Sequence, residues 1–248
     1  MSRKHWLHAM CALFIAVAGA VRAGGADSRP AEVVVLSTLH QLHAQVPGYS
    51  FDRLREVLEQ LHPDVLCLEV RADKLAARAP ESTKQEYPKV IYPLLARGHY
   101  VVVAMEPSEP EYGAILRPYL QANTTFQAAG GAAVAALGAY SDATYAALKT
   151  HWRDAAAVND ATTDDMLRAK HAFQQAAIGA GEREGWERWN RHFLAVIEQA
   201  AAEHPGQRIV VTVGVEHGYW LRGHLAAVPG IRLLDTAVLL SPALTRPD

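Results

Sequence analysis

The chain has 248 residues, half of them hydrophobic and a fifth charged, which suits one globular domain with a sizeable core and leaves little room for two. Its formal net charge is -2 and no basic stripe runs along it, so nucleic acid is not an expected partner.

The first residues, MSRKHWLHAMCALFIAVAGAVRAGGADSRP, combine a basic start (Arg3, Lys4), an apolar run over 9–21 and small residues before Gly24. This pattern predicts an export signal over 1–23, cleaved after Ala23, and hence a periplasmic or secreted protein. The apolar run is shorter than the roughly 20 residues of a spanning helix, so no stable membrane anchor is expected after cleavage. Cleavage removes three basic residues and no acid, leaving 21 basic against 26 acidic side chains and a net charge of -5. It also removes Cys11, so Cys67 stands alone, no intramolecular disulfide can form, and stability must come from the core.

After a flexible linker over 24–30, AEVVVLST reads as a buried strand. SFDRLREVLEQLHPD follows with Leu54, Val57, Leu58 and Leu61 at helical spacing, Ser50 or Asp52 as cap and Pro63 as terminator. DVLCLEV repeats the strand pattern, a polar helical stretch contains Tyr87 to Leu95, and GHYVVVAMEP is a third strand. This alternation predicts an α/β fold with a mainly parallel central sheet flanked by helices and right-handed crossovers. From about 112 to 184 the chain turns Ala-rich and helical, which predicts an insertion between the third and fourth core strands. An amphipathic helix with Trp186, Trp189, Phe193, Val196, Ile197 and Ala200 on one face leads into the fourth strand, RIVVTVG. A helix over YWLRGHLAAV and a last strand, IRLLDT, complete a single domain over 31–242, with a tail over 243–248.

Each of the four core strands ends in a side chain able to bind metal or move protons: His40, Glu69, Glu106 and His217. In open α/β sheets the functional crevice lies beyond the carboxyl ends of the strands, so the four are expected at one edge. Glu69, inside an apolar run, needs a partner, and Arg71 two residues on is the nearest one. His43 joins His40 if the segment between them turns helical, since residues three apart share a face. Glu106, before Pro107, is a rim carboxylate, and Glu216 could act as a base if the glycine-flanked tip Gly214 to Gly218 forms a tight turn. Cys67 reads as a packed thiol. There is no G-x-S-x-G elbow, Walker A loop, G-x-G-x-x-G or HExxH.

The strand ending in STLH, the helix closed by HPDVLCLEV, WNRHFLAVIEQ and the final IVVTVGVEHGYWLRGHL resemble the TraB/GumN/Tiki group of the erythromycin esterase and ChaN-like superfamily. Members carry two G-x-x-H segments and a glutamate after the second strand, which fall on Ser37 to His40, Gly214 to His217 and Glu69. Ser37 replaces the first glycine, and of the group's Arg-Asn pair Asn190 is in place, with Arg188 and Arg191 close by. The resemblance implies an extracytoplasmic metal-dependent hydrolase, acting on a peptide or small-molecule substrate. In this expectation His40 and His217, with His43 as an optional neighbour, bind a divalent metal ion, and Glu69 ligates it or takes the proton from its water. Glu106 and Glu216 are reserve acids, and Asn190 with Arg188 or Arg191 assists the developing oxyanion. The alternatives are a haem or small-ligand binding protein, with Trp186, Trp189, Tyr219 and Trp220 as apolar walls, and a non-catalytic scaffold.

Overall fold

A computed structural model describes residues 29–79 and 82–241; the expected signal over 1–23, most of the linker and the tail over 243–248 lie outside the described residues. Five strands form one sheet: β1 (Ala31–Thr38), β2 (Val65–Arg71), β3 (Val101–Glu106), β4 (Arg208–Gly214) and β5 (Ile231–Leu233). Every pair is parallel and the order is β3-β2-β4-β1-β5. The expected α/β architecture is what the chain adopts.

Alternation along each strand explains the two cores. In β1, Val33 and Val35 point to the side where Phe193, Ile197 and Leu221 pack, and Val34 and Leu36 to the side of Leu54 and Leu58. Both faces are apolar because helices cover both, which is why AEVVVLST shows no polar alternation. Helix α1 (Phe51–Leu61) buries Leu54, Val57, Leu58 and Leu61, and Ser50 caps it by accepting from the Arg53 N–H at 3.3 Å. The helix ends with His62 in the left-handed region, just ahead of Pro63.

β2 runs into α2 (Ala72–Ala77); after it a single π-turn over Tyr87–Ile91 leads into α3 (Tyr92–Arg97). The helical region between β3 and β4 comprises α4 (Glu111–Ala129), α5 (Gly131–His151), α6 (Ala155–Val158), α7 (Ala161–Ile178) and α8 (Ala180–Glu203). Gly130 and Gly131, at φ 62° and 81°, make the turn from α4 to α5. After β4 come α9 (Val215–Leu225) and α10 (Thr236–Leu240). None of the described helices is long and apolar enough to cross a membrane.

The sheet order has one consequence for function. Because β4 lies between β1 and β2, the strand ends follow one another across the sheet edge as Glu106, Glu69, Gly214 and then Thr38 with His40 beyond it. The first crossover, through α1, steps over a strand position that the last third of the chain fills.

Candidate active site

β1 stops at Thr38 and the chain folds into a short 3-10 turn over His40–Ala44. His40 sits in the left-handed region at φ 50°, a conformation that costs a non-glycine residue roughly 1–2 kcal/mol and persists where surrounding contacts hold it. The hold is Glu86, whose Oε1 lies 2.7 Å from His40 Nδ1 and also accepts from Thr38 Oγ1 at 3.2 Å. Burial opposes protonation of this imidazole, but the bond to Glu86 and the charges of Glu69 and Glu86 outweigh it and raise its pKa above the usual 6.5. Nε2 has no hydrogen-bond partner among the described residues. A Cβ on residue 214 would come within 2.6 Å of it, so only glycine lets the ring sit there.

Glu69 reaches the same point from β2, its Oε2 lying 3.4 Å from that Cβ position. Oε2 accepts from the Gly214 N–H at 2.5 Å and Oε1 lies 3.2 Å from Lys84 Nζ. The ammonium of Lys84 also donates to the Glu69 carbonyl at 2.9 Å and bonds the carboxylate of Glu106. Burial works against ionisation of Glu69, but Lys84, then His40 and His217, and the Gly214 amide pull its carboxyl down to about 2. Arg71, the partner expected from spacing, is instead a bidentate partner of Asp73 at 2.8 and 2.9 Å and lies over the Tyr112 ring at 4.8 Å. The pairing of β2 with β3 shifts register between Leu68 and Arg71, so the two-residue periodicity that would align Arg71 with Glu69 breaks.

His217 lies in the first turn of α9. Its Nδ1 is 2.8 Å from Asn190 Oδ1, while Asn190 Nδ2 donates to the Trp186 carbonyl at 2.8 Å. That second bond orients the amide: its oxygen must face the imidazole, so Nδ1 carries the proton and Nε2 keeps a lone pair. The ring stacks on Trp186 at 4.6 Å and 14°. Burial lowers its pKa to about 4, only partly offset by Glu69.

The remaining expected residues are placed differently. His43 is buried, its Nε2 accepting from the Leu39 N–H at 2.9 Å and its Nδ1 donating to the Tyr49 carbonyl at 2.6 Å. It braces the turn that carries His40 and is not in the cleft. Glu216 is taken up by Lys170 at 2.8 and 2.9 Å, His171 at 2.5 Å and the Tyr145 hydroxyl. Burial opposes its ionisation, yet His171 and Lys170 hold its carboxyl well below the usual range, which leaves it a poor base. Glu106 is tied to Lys84. Arg188 is exposed, 3.5 Å from the Ala114 carbonyl, and Arg191 pairs with Glu187 at 2.6 Å in solvent. Neither arginine lines the cleft. Lys84 and Glu86, which organise the site, were not expected from sequence; TKQEYP looks like polar surface, and only the pairing of both charges in the fold marks them.

Two adjoining cavities open at this sheet edge. One, of about 360 Å³, is walled by Tyr112, Ile115 and Leu116 of α4 and Trp189 of α8, with Glu69, Lys84 and Glu106 on the sheet side. The other, of about 370 Å³, has His40, Tyr145, Lys170, His171, Gln174 and Glu216 in its lining. Tyr119, Trp186 and His217 line both, so they form the partition. Tyr219 and Trp220 line neither.

The fit of a divalent cation to these residues is partial. His40 and His217 each have Nδ1 held by an acceptor and Nε2 free, the orientation of metal-bound imidazoles. Glu69 fits less well as third ligand, because its Oε2 accepts from the Gly214 N–H, its Oε1 is ion-paired with Lys84, and that ammonium already supplies the positive charge between Glu69 and Glu106. Among the described residues no group of three or more His, Cys, Asp or Glu is arranged to hold a metal ion. No known protein family, curated protein or solved structure matches the chain.

Proposed function

We propose that this protein is an extracytoplasmic hydrolase that cleaves an ester or amide bond in a peptide or small acyl substrate, with His217 as base and His40 as acid. The observation that carries the reading is that two histidines at the ends of adjacent strands have environments that move their pKa values in opposite directions. Such divergence assigns the acid and the base. His217, lowered to about 4, is neutral at pH 7 with its lone pair on Nε2. His40 has its pKa raised above the usual 6.5 by the bond to Glu86 and the charges of Glu69 and Glu86, which suits it to give up a proton rather than take one.

In the reaction, a water gives its proton to His217 Nε2 as its oxygen bonds the substrate carbonyl carbon. The bond to the leaving oxygen or nitrogen then breaks, and that atom takes the proton of His40 Nε2. Products are a carboxylic acid and an alcohol or amine; proton exchange with solvent returns both rings to their starting states. Glu69 stays ionised throughout and its charge favours the protonated form of either ring. Lys84, in turn, keeps Glu69 ionised. The likeness of STLH and GVEH to the TraB/GumN/Tiki segments supports the same reaction class, and the basic and apolar start supports export.

A second reading, hydrolysis assisted by a divalent metal, rests on the Nδ1 partners of the two histidines; a bound cation supplies an acidified water. His40 and His217 would hold it through Nε2. The test combines metal content of the purified full chain with turnover of a panel of p-nitrophenyl esters and fluorogenic peptides. Turnover without bound metal that falls at least a hundredfold in His40→Ala and His217→Ala is the expected result. Turnover that requires a stoichiometric metal selects the second reading, and a folded protein that turns over nothing in the panel rejects both.

A further inference from the structure

We infer that this protein is a homodimer in which β3 pairs antiparallel with β3 of a second copy, about a two-fold axis at Val103, so that the two sheets become one. The surface concerned is not the cleft, since none of residues 101–105 lines either cavity.

β3 is an edge of the sheet and pairs with β2 alone. The Val101 N–H donates to the Asp64 carbonyl at 3.1 Å, so Val101 and, two residues on, Val103 direct their backbone groups towards β2. In a parallel ladder the alternate residues, Val102 and Ala104, direct theirs outward. Those outward groups have no hydrogen-bond partner among the described residues. The side chains are open to match: Val101 is 43% exposed and Val102, Val103 and Ala104 are partly exposed, whereas β1, β2 and β4 are buried almost throughout. From Val101 to Met105 the edge carries neither a charge nor a proline, the residues that ordinarily keep sheet edges apart. The opposite edge is blunted, because β5 has three residues and Arg232 at its centre is ion-paired with Glu32.

Two features select a second copy as the occupant. The first is register. With the axis at Val103, Val102 lies opposite Ala104 of the second copy and the reverse, so each pair exchanges both N–H···O bonds and every outward group is satisfied. Val101 then faces Met105 of the second copy, apolar against apolar. The second feature is charge. Arg97 and Glu109 are both exposed and each stands six residues from Val103, at opposite ends of the strand. Antiparallel pairing sets the basic end of each copy beside the acidic end of the other, whereas parallel pairing would bring like ends together. The two-fold arrangement closes, so it gives a dimer and not a fibre. Because the strands run in opposite directions, the two clefts open at opposite sides of the joined sheet, each complete within its own copy.

Sedimentation velocity of the purified protein over a concentration series up to about 100 µM should show the dimer. Val101→Lys, at an exposed position, and Val103→Lys, which sets two ammonium groups opposite each other, should each raise the dissociation constant at least tenfold. Urea midpoints report whether each variant keeps its fold, and Val101→Lys decides alone if Val103→Lys unfolds. Register is read with cysteines. In Val103→Cys the two thiols meet across the axis, in a pair whose Cα atoms lie about 4.5 Å apart, so mild oxidation should give a covalent dimer. In Val101→Cys the two thiols are offset by roughly 13 Å along the strands and should not cross-link. Cys67 is buried, and the native chain is the control. A monomer throughout the series, a dimer unaffected by Val101→Lys, or cross-linking no greater in Val103→Cys than in Val101→Cys overturns the inference.

Discussion

Asn190 holds His217 in one tautomer, because the amide that accepts from the ring at 2.8 Å is itself anchored through its NH2 to the Trp186 carbonyl. Both residues of that anchor lie on α8, so a helix of the inserted region reaches across the sheet edge to set the protonation state of a strand-end histidine.

Replacing Asn190 separates orientation from charge. Asn190→Ala frees the ring and should lower kcat by about tenfold to a hundredfold, the range seen when an orienting partner of a histidine is lost. Asn190→Asp keeps the contact but adds a negative charge, which raises the pKa of His217 and should move the acid limb of the kcat/KM profile to higher pH. A pH profile unmoved by Asn190→Asp would falsify the assignment of His217 as base.

The native profile should be bell-shaped. His217 must be neutral, so activity falls as pH drops through about 4; His40 must be protonated, so activity falls again as pH rises through a value above 6.5. Glu86→Gln removes a carboxylate that raises the pKa of His40 and should shift the alkaline limb downward, a change read from initial rates across pH.

Acid should weaken the fold by a route that does not involve catalysis. His43 is buried with its pKa lowered from 6.5 to about 4, so the unfolded chain binds a proton that the folded chain refuses. Stability therefore declines as pH falls from 6.5 towards 4, by on the order of 3 kcal/mol at most from this residue. Glu69 contributes in a lower window: its stabilisation is present above 4.5 and is lost as pH falls through about 2. Urea denaturation at stepped pH should show both declines, with the upper one reduced in His43→Gln.

Lys84 is the most consequential unexpected residue. Lys84→Met removes the ammonium that lies between the carboxylates of Glu69 and Glu106, at a cost of about 3–5 kcal/mol. Adding Glu106→Gln should recover part of that loss, measured as the urea midpoint of the single and double variants.

Gly214→Ala tests the crowding at the strand end. The added methyl would lie 2.6 Å from His40 Nε2, while its backbone φ of -52° suits alanine. The ring must move off Glu86, so turnover should fall more than tenfold, with a loss of stability of about 1–3 kcal/mol from the overpacking.

Much of this arrangement is legible in the one-dimensional chain. Runs such as AEVVVLST and RIVVTVG are apolar on both parities, which only strands covered on both faces tolerate, and the helices between them are marked by Leu54, Val57, Leu58 and Leu61. Parallel strands all expose their carboxyl ends at one edge, so His40, Glu69, Glu106 and His217 had to gather once the alternation was read. The wrong partner for Glu69 came from extending period-two geometry through a register shift that no local pattern announces.

What the sequence determined by itself is therefore the layering and which edge carries the polar residues, since both follow from periodicity over a few neighbouring residues. What only the tertiary structure decided is who pairs with whom at that edge. The insertion of β4 between β1 and β2 brings Gly214 against His40 and Glu69, and Lys84, Glu86 and Asn190 arrive from segments far away in the chain. Burial and neighbouring charge set the opposite shifts of the two histidines, and both are properties of a packed environment that no spacing of residues encodes.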